Sequence, residues 1–212
     1  MYRAYLFDLD GTLLDTLDDL HAAVNAALRA FSLPPRTKEE VRSFVGNGVK
    51  NLMERAVGCP RADQAEILAY FKQYYGANCQ CKTRPYEGVL TLLKRLKEQG
   101  RFCAVLSNKA DFAVKKLAKG YFDGLLDGAV GENEDAGIRK KPAPDCVFAI
   151  LEALNCEAKD AVYIGDSEVD IQTAKNAGLD CVSVTWGFKD REFLLQNGAT
   201  VLVDSPLQIL EI

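Results

Sequence analysis

Short apolar runs alternate with helical patterns over the C-terminal two-thirds of the chain, and this alternation constrains the fold strongly. The runs with strand character are residues 4–7, 102–106, 161–164, 181–185 and, more weakly, 201–203. Apolar residues at helical spacing fill the gaps between them, as at Val147, Ile150, Leu151 and Leu154. Apolar strands that alternate with helices predict a parallel sheet covered on both faces. We therefore expect a doubly wound, Rossmann-like α/β core.

The stretch from residue 16 to residue 82 has a different character. Three apolar stripes at helical spacing run through it, and no convincing strand lies among them. The stripes are Leu17, Leu20, Val24, Leu28 and Phe31; Val49, Leu52, Met53 and Ala56; and Ile67, Phe71 and Tyr74. We predict an all-helical domain of residues 16–82, inserted into an α/β domain made of residues 1–15 and 83–212.

The composition is that of an ordinary globular protein. Of 212 residues, 48% are hydrophobic and 26% are charged, which excludes a disordered or collagen-like chain. A net charge of −4 gives no electrostatic reason to bind nucleic acid or an anionic membrane. No run reaches the roughly 18 apolar residues of a membrane span, and the short N-terminal apolar run does not resemble a secretory signal. We expect a cytoplasmic protein without nucleic-acid or membrane partners.

The cysteines agree with a reducing compartment. There are seven, an odd number, and they include no CxxC pair, so a disulfide framework and a zinc site are both disfavoured. We interpret them as buried small apolar side chains. Cys79 and Cys81, which have polar neighbours, are the two that we expect to be exposed.

Two carboxylates follow the first predicted strand directly. Asp8 and Asp10 lie in the run DLDGT at residues 8–12, and an extended chain points both side chains the same way. Neighbouring, partly buried carboxylates repel each other, so a cation or hydrogen bonds must offset their charge. The carboxyl ends of parallel strands are also where α/β sheets bind ligands. The sequence therefore predicts a functional site here.

Three further motifs follow later strands in a set order. SNK at 107–109 follows the second strand, KKPAP occupies 140–144, and GDSEVD at 165–170 follows the third. With DLDGT, these runs resemble the four motifs of the haloacid dehalogenase superfamily of phosphohydrolases, and the resemblance spans the chain. The 16–82 insertion is similar to the helical cap of one large subclass of that superfamily, in which the cap closes over the site.

The resemblance implies a role for each core motif residue. Asp8 is expected to be the nucleophile that forms an aspartyl-phosphate, and Asp10 the general acid and base. Asp10 also favours phosphoryl transfer, because the dehalogenase branch lacks this second acid. Ser107 and Lys141 are expected to stabilise the phosphoryl oxygens. The amide of Asn108, placed at the start of a helix over 110–119, is expected to donate to the phosphate, and Thr12 to cap or bind phosphate.

The resemblance also implies Mg²⁺ as the cofactor. Mg²⁺ prefers oxygen ligands and is held in proteins by few carboxylates together with substrate phosphate. The expected ligands are Asp8, the backbone carbonyl of Asp10, and Asp166. If a helix begins at Ser167, Asp170 is expected to share a face with Asp166, and it could bind the metal directly or hold a metal-bound water.

Within the predicted cap, a loop with two glycines precedes a helix. The run VGNG at 45–48 frees backbone amides toward whatever the cap faces. This loop and the opening FDLDGTLLDTLDDL resemble phosphoglycolate phosphatases. The expected readers of the substrate's anionic group are therefore Gly46, Asn47 and Lys50.

The reading that follows is a Mg²⁺-dependent phosphomonoester hydrolase for a small phosphorylated metabolite, with phosphoglycolate preferred. A β-phosphoglucomutase-like transferase, a pyrophosphatase and a phosphonate hydrolase stay open within the enzyme class. The single histidine, His21, disfavours the mutase, because its spacing differs from that of the mutase histidine. A regulatory protein that binds a phosphate ligand on a phosphatase scaffold is the alternative outside the enzymes. Both a monomer and a homodimer are compatible with the sequence.

Overall fold

The computed structural model describes residues 1–133 and 139–212. In chain order, its strands and helices are β1 (Ala4–Phe7), β2 (Leu14–Asp15), α1 (Leu17–Ala30), α2 (Lys38–Phe44), α3 (Gly48–Val57), α4 (Gln64–Asn78), β3 (Arg84–Pro85), α5 (Val89–Glu98), β4 (Phe102–Ala110), α6 (Asp111–Phe122), β5 (Gly128–Glu132), α7 (Asp145–Ala153), β6 (Ala161–Gly165), α8 (Glu168–Ala177), β7 (Asp180–Val184), α9 (Arg191–Gln196) and β8 (Val201–Val203).

Within the described ranges, six strands form a central sheet in the order β5-β4-β1-β6-β7-β8. Every neighbouring pair in this sheet is parallel. Phe7 at the end of β1 is in register with Val105 of β4 and with Ile164 of β6. The residues that come soon after these three in-register positions therefore meet at one edge, next to the point where the strand order reverses.

Both faces of the sheet are buried, as the continuous apolar strands predict. Alternate residues of β1 belong to two separate apolar clusters: Tyr5 and Phe7 to one, Ala4 and Leu6 to the other. The first cluster includes buried residues of α5 and α6, and the second includes residues of α7 and α8. The predicted doubly wound α/β fold class is confirmed.

Helices α1 to α4 lie between β2 and β3, in the stretch predicted to be helical. Where this stretch begins and ends, β2 pairs with β3 antiparallel, with Leu14 opposite Pro85 and Asp15 opposite Arg84. The apolar stripes predicted α1, α3 and α4 but not α2. That helix has a single buried residue, Val41, and so lacks a stripe. The exact domain limits, 16–82 within 1–15 and 83–212, stay a prediction.

A few local expectations were wrong. Strand β4 continues beyond residue 106 to Ala110, because Ala110 pairs with Glu132 of β5 and the three polar residues before it are buried. Strand β5 was not predicted, since the run GAVGE contains two glycines and little β propensity. Cys79 is buried within the first apolar cluster, whereas Cys59 and Cys81 are exposed.

Among the described residues, no helix combines the length and the apolarity that a membrane crossing requires.

Candidate active site

The motif residues meet around one pocket at the carboxyl edge of the sheet. Asp8 follows β1, Asp166 follows β6, and Ser107 and Asn108 lie near the end of β4. The pocket contains about 580 Å³ of space between atoms. Residues separated by more than a hundred positions are brought together because β1 is flanked by β4 and β6.

Three buried carboxylates form the acidic part of the site. Oxygens of Asp8, Asp166 and Asp170 lie within 4.8 Å of one another. Burial, together with the charges of Asp170 and Asp10, raises the pKa of Asp8 to about 6, although Lys141 opposes the shift. Burial and the charges of Asp170 and Asp8 also hold the pKa of Asp166 well above its ordinary value. Such a cluster is able to hold a metal ion, which would offset the repulsion.

Lys141 supplies a positive charge at the centre of the site. Its Nζ donates to Oδ1 of Asp8 at 2.8 Å, to Oδ1 of Asp170 at 2.7 Å and to the Tyr163 hydroxyl at 3.0 Å. Burial lowers the pKa of Lys141, but the two carboxylates outweigh burial, so this pKa lies well above its usual value. Lys141 therefore stays charged beside the carboxylates.

Asp166 is fixed by backbone that approaches it closely. The Phe188 N–H donates to its Oδ2 at 2.6 Å, and the Thr12 hydroxyl lies 3.4 Å from its Oδ1. A β-carbon at Gly11 or at Gly187 would collide with the Asp166 side chain, and Gly11 also has φ of +87°. Glycine is required at both positions because the chain passes too close to this carboxylate for any side chain.

Asp170 has a structural contact besides its place in the acidic cluster. Helix α8 begins at Glu168 with Ser167 as its N-cap, and Asp170 completes a capping box. Its Oδ2 accepts from the Ser167 hydroxyl at 2.6 Å, while its Oδ1 accepts from Lys141. The helix thus starts one residue after Ser167, the position at which a helix start is expected to place Asp166 and Asp170 on one face. Asp166 precedes it, and Asp170 reaches the site from the first turn.

Asn108 connects the core to the cap loop. Its Nδ2 donates to the carbonyls of Lys141 at 3.0 Å and Gly46 at 3.1 Å, and its Oδ1 accepts from the Lys141 N–H at 2.8 Å. The predicted place at a helix start is wrong, because Asn108 lies within β4 and α6 begins at Asp111. The side chain of Asn108 thus positions Lys141 and the glycine loop together.

Lys109 was not assigned a role from the sequence. Its Nζ donates to both carboxylate oxygens of Asp10 at 2.9 Å, and the Thr16 hydroxyl donates to Asp10 Oδ1 at 2.6 Å. The signal in the sequence was a lysine directly after an apolar strand and two polar motif residues. It was ambiguous because an exposed loop lysine has the same appearance.

The wall of the pocket that the helical stretch provides is largely apolar. It consists of Leu20, Val45, Gly46, Gly48, Val49 and Leu52. The loop after β7 adds Phe188 and Lys189. Gly46 thus lies at the pocket as predicted, whereas Thr12, Asn47 and Lys50 are not among its lining residues. Thr12 is buried against Asp166, and Lys50 is exposed on α3.

These features define an α/β enzyme class, with an acidic site balanced by lysines at the strand ends and a helical insertion over it. A sequence model of the family described as haloacid dehalogenase-like hydrolase matches residues 5–184. The chain belongs to this family, and the predicted family is confirmed.

Curated relatives and solved structures agree with this assignment. The chain is 33% identical to phosphoglycolate phosphatase 1 of Pseudomonas aeruginosa, over 98% of this chain and 78% of that protein. It is 35% identical to phosphoglycolate phosphatase of Neisseria meningitidis, over 93% and 86%. A crystal structure of a candidate phosphoglycolate phosphatase from Lactobacillus delbrueckii superposes with a TM-score of 0.93 at 38% identity, covering 99% of this chain and 97% of that one. The prediction of an enzyme of the phosphatase class is confirmed.

Proposed function

We propose that this chain is a Mg²⁺-dependent phosphomonoesterase that works through an aspartyl-phosphate and prefers phosphoglycolate. The observation that carries the mechanism is the placement of Asp8 beside Lys141 and Asp166 at the end of β1, in a pocket that also contains Asp10. The names of the relatives support the substrate.

In the first step, a carboxylate oxygen of Asp8 attacks phosphorus and forms a P–O bond. The bond between phosphorus and the ester oxygen breaks, and the leaving alkoxide takes a proton from Asp10. Splitting hydrolysis into two displacements lowers the barrier of each. Because Asp8 and Asp10 both lie in the turn after β1, the nucleophile and the acid are held on one short piece of backbone.

In the second step, water attacks the phosphorus of the aspartyl-phosphate. Asp10, now a carboxylate, takes a proton from that water, and the bond between phosphorus and the Asp8 oxygen breaks. Phosphate is released and both side chains return to their starting states. The same residue thus donates a proton in one step and accepts one in the other.

Ser107 and Lys141 are proposed to hold the phosphoryl oxygens during both steps. Both are buried, and both line the pocket beside Asp8. Fixed donors in a site of low water content stabilise developing charge without reorganisation. Asn108 supports them by fixing the backbone at Lys141, with the hydrogen bonds described above.

The donor set fits Mg²⁺. Asp8, Asp166 and Asp170 offer only carboxylate oxygens, the ligands that this hard cation prefers. Asp8 and Asp166 would hold the metal together with the Asp10 carbonyl, and Asp170 would hold it directly or through water. When bound, it supplies positive charge against the substrate phosphate and the carboxylates.

A small phosphorylated acid suits the pocket that the cap and core enclose. The helical wall is apolar, which disfavours a large polar leaving group, while Lys189 adds a cation to the lining. Gly46 brings backbone polar groups to the same wall. Binding by Thr12, Asn47 and Lys50 remains a prediction from the sequence, as do closure of residues 16–82 over the site, a cytoplasmic location and a monomeric or dimeric state.

The test is phosphate release with Mg²⁺, and with EDTA as the control, across a panel of substrates. The panel contains phosphoglycolate, sugar phosphates, nucleotides, pyrophosphate and phosphonoacetaldehyde. We expect the highest kcat/KM for phosphoglycolate and no turnover with EDTA. Higher kcat/KM for a sugar phosphate, or activity confined to pyrophosphate or the phosphonate, would contradict the proposed substrate.

Asp8→Asn tests the proposed nucleophile. We expect turnover to fall by at least about 10³-fold, since an amide cannot form the acyl-phosphate, while the melting temperature stays within about 5 °C of the native value. Phosphate release and a thermal melt measure the two effects. Substantial Mg²⁺-dependent turnover by a folded variant would exclude Asp8 as nucleophile.

A further inference from the structure

Lys109 is a buried lysine whose charge is directed at a single carboxylate. Its side chain is only 2% exposed, and its Nζ lies 2.9 Å from both oxygens of Asp10. A buried ammonium is costly unless it is paired. An apolar residue at this point of β4 would avoid that cost. The presence of a lysine here therefore points to its contact with Asp10 as the reason.

The carboxylate of Asp10 is held from two directions. Lys109 approaches from β4, and the hydroxyl of Thr16, the residue before α1, approaches from a second direction. Asp10 lies in the turn after β1, so its backbone alone does not determine where the carboxylate points. The two donors restrict its side-chain torsions and keep it at the pocket wall.

The helical insertion contributes to the same arrangement through Tyr75. The Lys109 Nζ lies 4.5 Å from the centre of the Tyr75 ring, within range of a cation–π contact. Tyr75 belongs to α4 and stacks on Phe71 with ring centres 5.6 Å apart. Its hydroxyl is buried and has no hydrogen-bond partner within residues 1–133 and 139–212. The ring, and not the hydroxyl, is therefore the part of Tyr75 that acts on Lys109.

We propose that Lys109 is a positioning residue for Asp10 and that Tyr75 secures Lys109, so that α4 of the insertion helps to place the acid of the core. The proposal rests on the role assigned to Asp10 above. It predicts that losing Lys109 impairs protonation of the leaving group more than any other part of the reaction.

The leaving group provides the readout. An alkoxide such as that of phosphoglycolate needs a proton, whereas p-nitrophenolate leaves without one. We expect Lys109→Met to slow phosphoglycolate cleavage in a single turnover by about 10- to 100-fold, because general acid catalysis contributes about 10²–10⁴-fold. The rate of p-nitrophenolate release from p-nitrophenyl phosphate in a single turnover should fall by no more than about threefold. Cleavage of this ester does not use the acid.

The experiment uses rapid quench of the full-length enzyme with Mg²⁺, and it compares Lys109→Met, Asp10→Asn and the double variant. Because Lys109 acts through Asp10, the double variant should be no slower than Asp10→Asn alone. Multiplying effects, or equal losses on both substrates, would overturn the proposal and return Lys109 to a structural role. Lys119→Met, an exposed lysine on α6, serves as the control.

Tyr75 provides a second measurement that does not remove a charge. Tyr75→Leu removes the ring and should slow phosphoglycolate cleavage by about three- to tenfold, the range expected for a cation–π contact. Tyr75→Phe keeps the ring, so it should slow phosphoglycolate cleavage less than Tyr75→Leu does. An equal loss in both variants would overturn the part assigned to the ring.

The wild-type enzyme separates this proposal from the proposed function. If it cleaves a different alkyl phosphate, only the substrate assignment fails, and the comparison is made with that ester. If Asp10→Asn retains the wild-type single-turnover rate on the alkyl ester, the acid role and the role of Lys109 fail together.

Discussion

Asp8 and Lys141 are 133 positions apart in the chain, yet the structure places Lys141 Nζ 2.8 Å from the carboxylate. This pairing fits the role proposed for Asp8, because a nucleophilic carboxylate must stay anionic although it is buried. Burial favours the protonated acid, and Lys141 favours the anion. Burial and the nearby charges of Asp170 and Asp10 together outweigh the effect of Lys141, so the pKa of Asp8 rises to about 6.

This shift predicts the acid side of the pH profile. In its proposed role as nucleophile, Asp8 would attack only as the anion, so activity should fall as pH drops below about 6. A cation in the acidic cluster favours the anion and lowers this pKa, so raising Mg²⁺ should move the fall to lower pH. Profiles of kcat/KM at two Mg²⁺ concentrations measure the movement. If the profile does not change with the Mg²⁺ concentration, the group that titrates lies outside the acidic cluster.

At the scale of elements, the start of α1 is tied to the segment that enters β3. Asp19 is buried, and its Oδ2 accepts from the N–H of Thr83 at 2.9 Å and from the Thr83 hydroxyl at 2.8 Å, while the Lys82 N–H also donates to the carboxylate. These bonds join the two ends of the helical stretch next to the β2–β3 pair.

Removing this carboxylate leaves the buried N–H of Thr83 without its partner. We expect Asp19→Ala to lower the free energy of unfolding by about 1–3 kcal/mol, measured by urea denaturation. Asp18→Ala is the matched control, because Asp18 forms only a partly exposed ion pair with Lys38, worth about 0–1 kcal/mol. Equal losses would show that the Asp19 bonds add no special stability.

Two lysines on different elements, Lys50 and Lys189, are candidates to bind the anionic group of the substrate. Lys50 is exposed on α3, whereas Lys189, in the loop after β7, lines the pocket. The other two pocket lysines, Lys109 and Lys141, are paired with carboxylates, while the Lys189 ammonium lies 5.2 Å from the Phe193 ring. The geometry thus favours Lys189 over Lys50.

Phosphoglycolate and its uncharged analogue 2-hydroxyethyl phosphate separate these lysines. We expect Lys189→Met to lower kcat/KM for phosphoglycolate by about 10- to 100-fold, the value of a hydrogen bond to a charged group, with little change for the analogue. Lys50→Met should change neither substrate by more than about threefold. The reverse pattern would support the role predicted for Lys50 from the sequence.

For the whole molecule, the acidic cluster opposes folding, and the proposed Mg²⁺ would offset this cost. The raised pKa of Asp8 means that the native state holds more protons than the unfolded state between about pH 4 and 6. Without metal, stability should therefore fall as pH rises through this range.

The melting temperature measures this effect. Mg²⁺ at about 100 times its Kd adds about 2.7 kcal/mol, which corresponds to roughly 5–10 °C for a chain of this size. We expect this increase at pH 7.5, a smaller one at pH 5.5 where protons compete, and none for Asp166→Asn. Glu157→Gln, which alters an exposed acid, is the control. An undiminished increase in Asp166→Asn would place the metal elsewhere.

The sequence by itself determined the strand and helix alternation, the helical insertion and the positions of the four motifs. The alternation and the insertion follow from local periodicity, and the motifs are identified by their order and by their resemblance to those of the haloacid dehalogenase superfamily. Asp8, Ser107, Lys141 and Asp166 could therefore be named without coordinates. Helix α2 and strand β5 were missed because neither carries a clear apolar pattern.

Only the tertiary structure decided which side chains meet. Lys109 and Asp10 are 99 positions apart, and no local pattern distinguishes a buried, paired lysine from an exposed one. The same holds for Lys189 at the pocket, for the second contact of Asp170, and for Cys79 within the apolar cluster. Burial and pairing depend on the packing of distant elements, and that packing exists only after the strands have assembled in the order β5-β4-β1-β6-β7-β8.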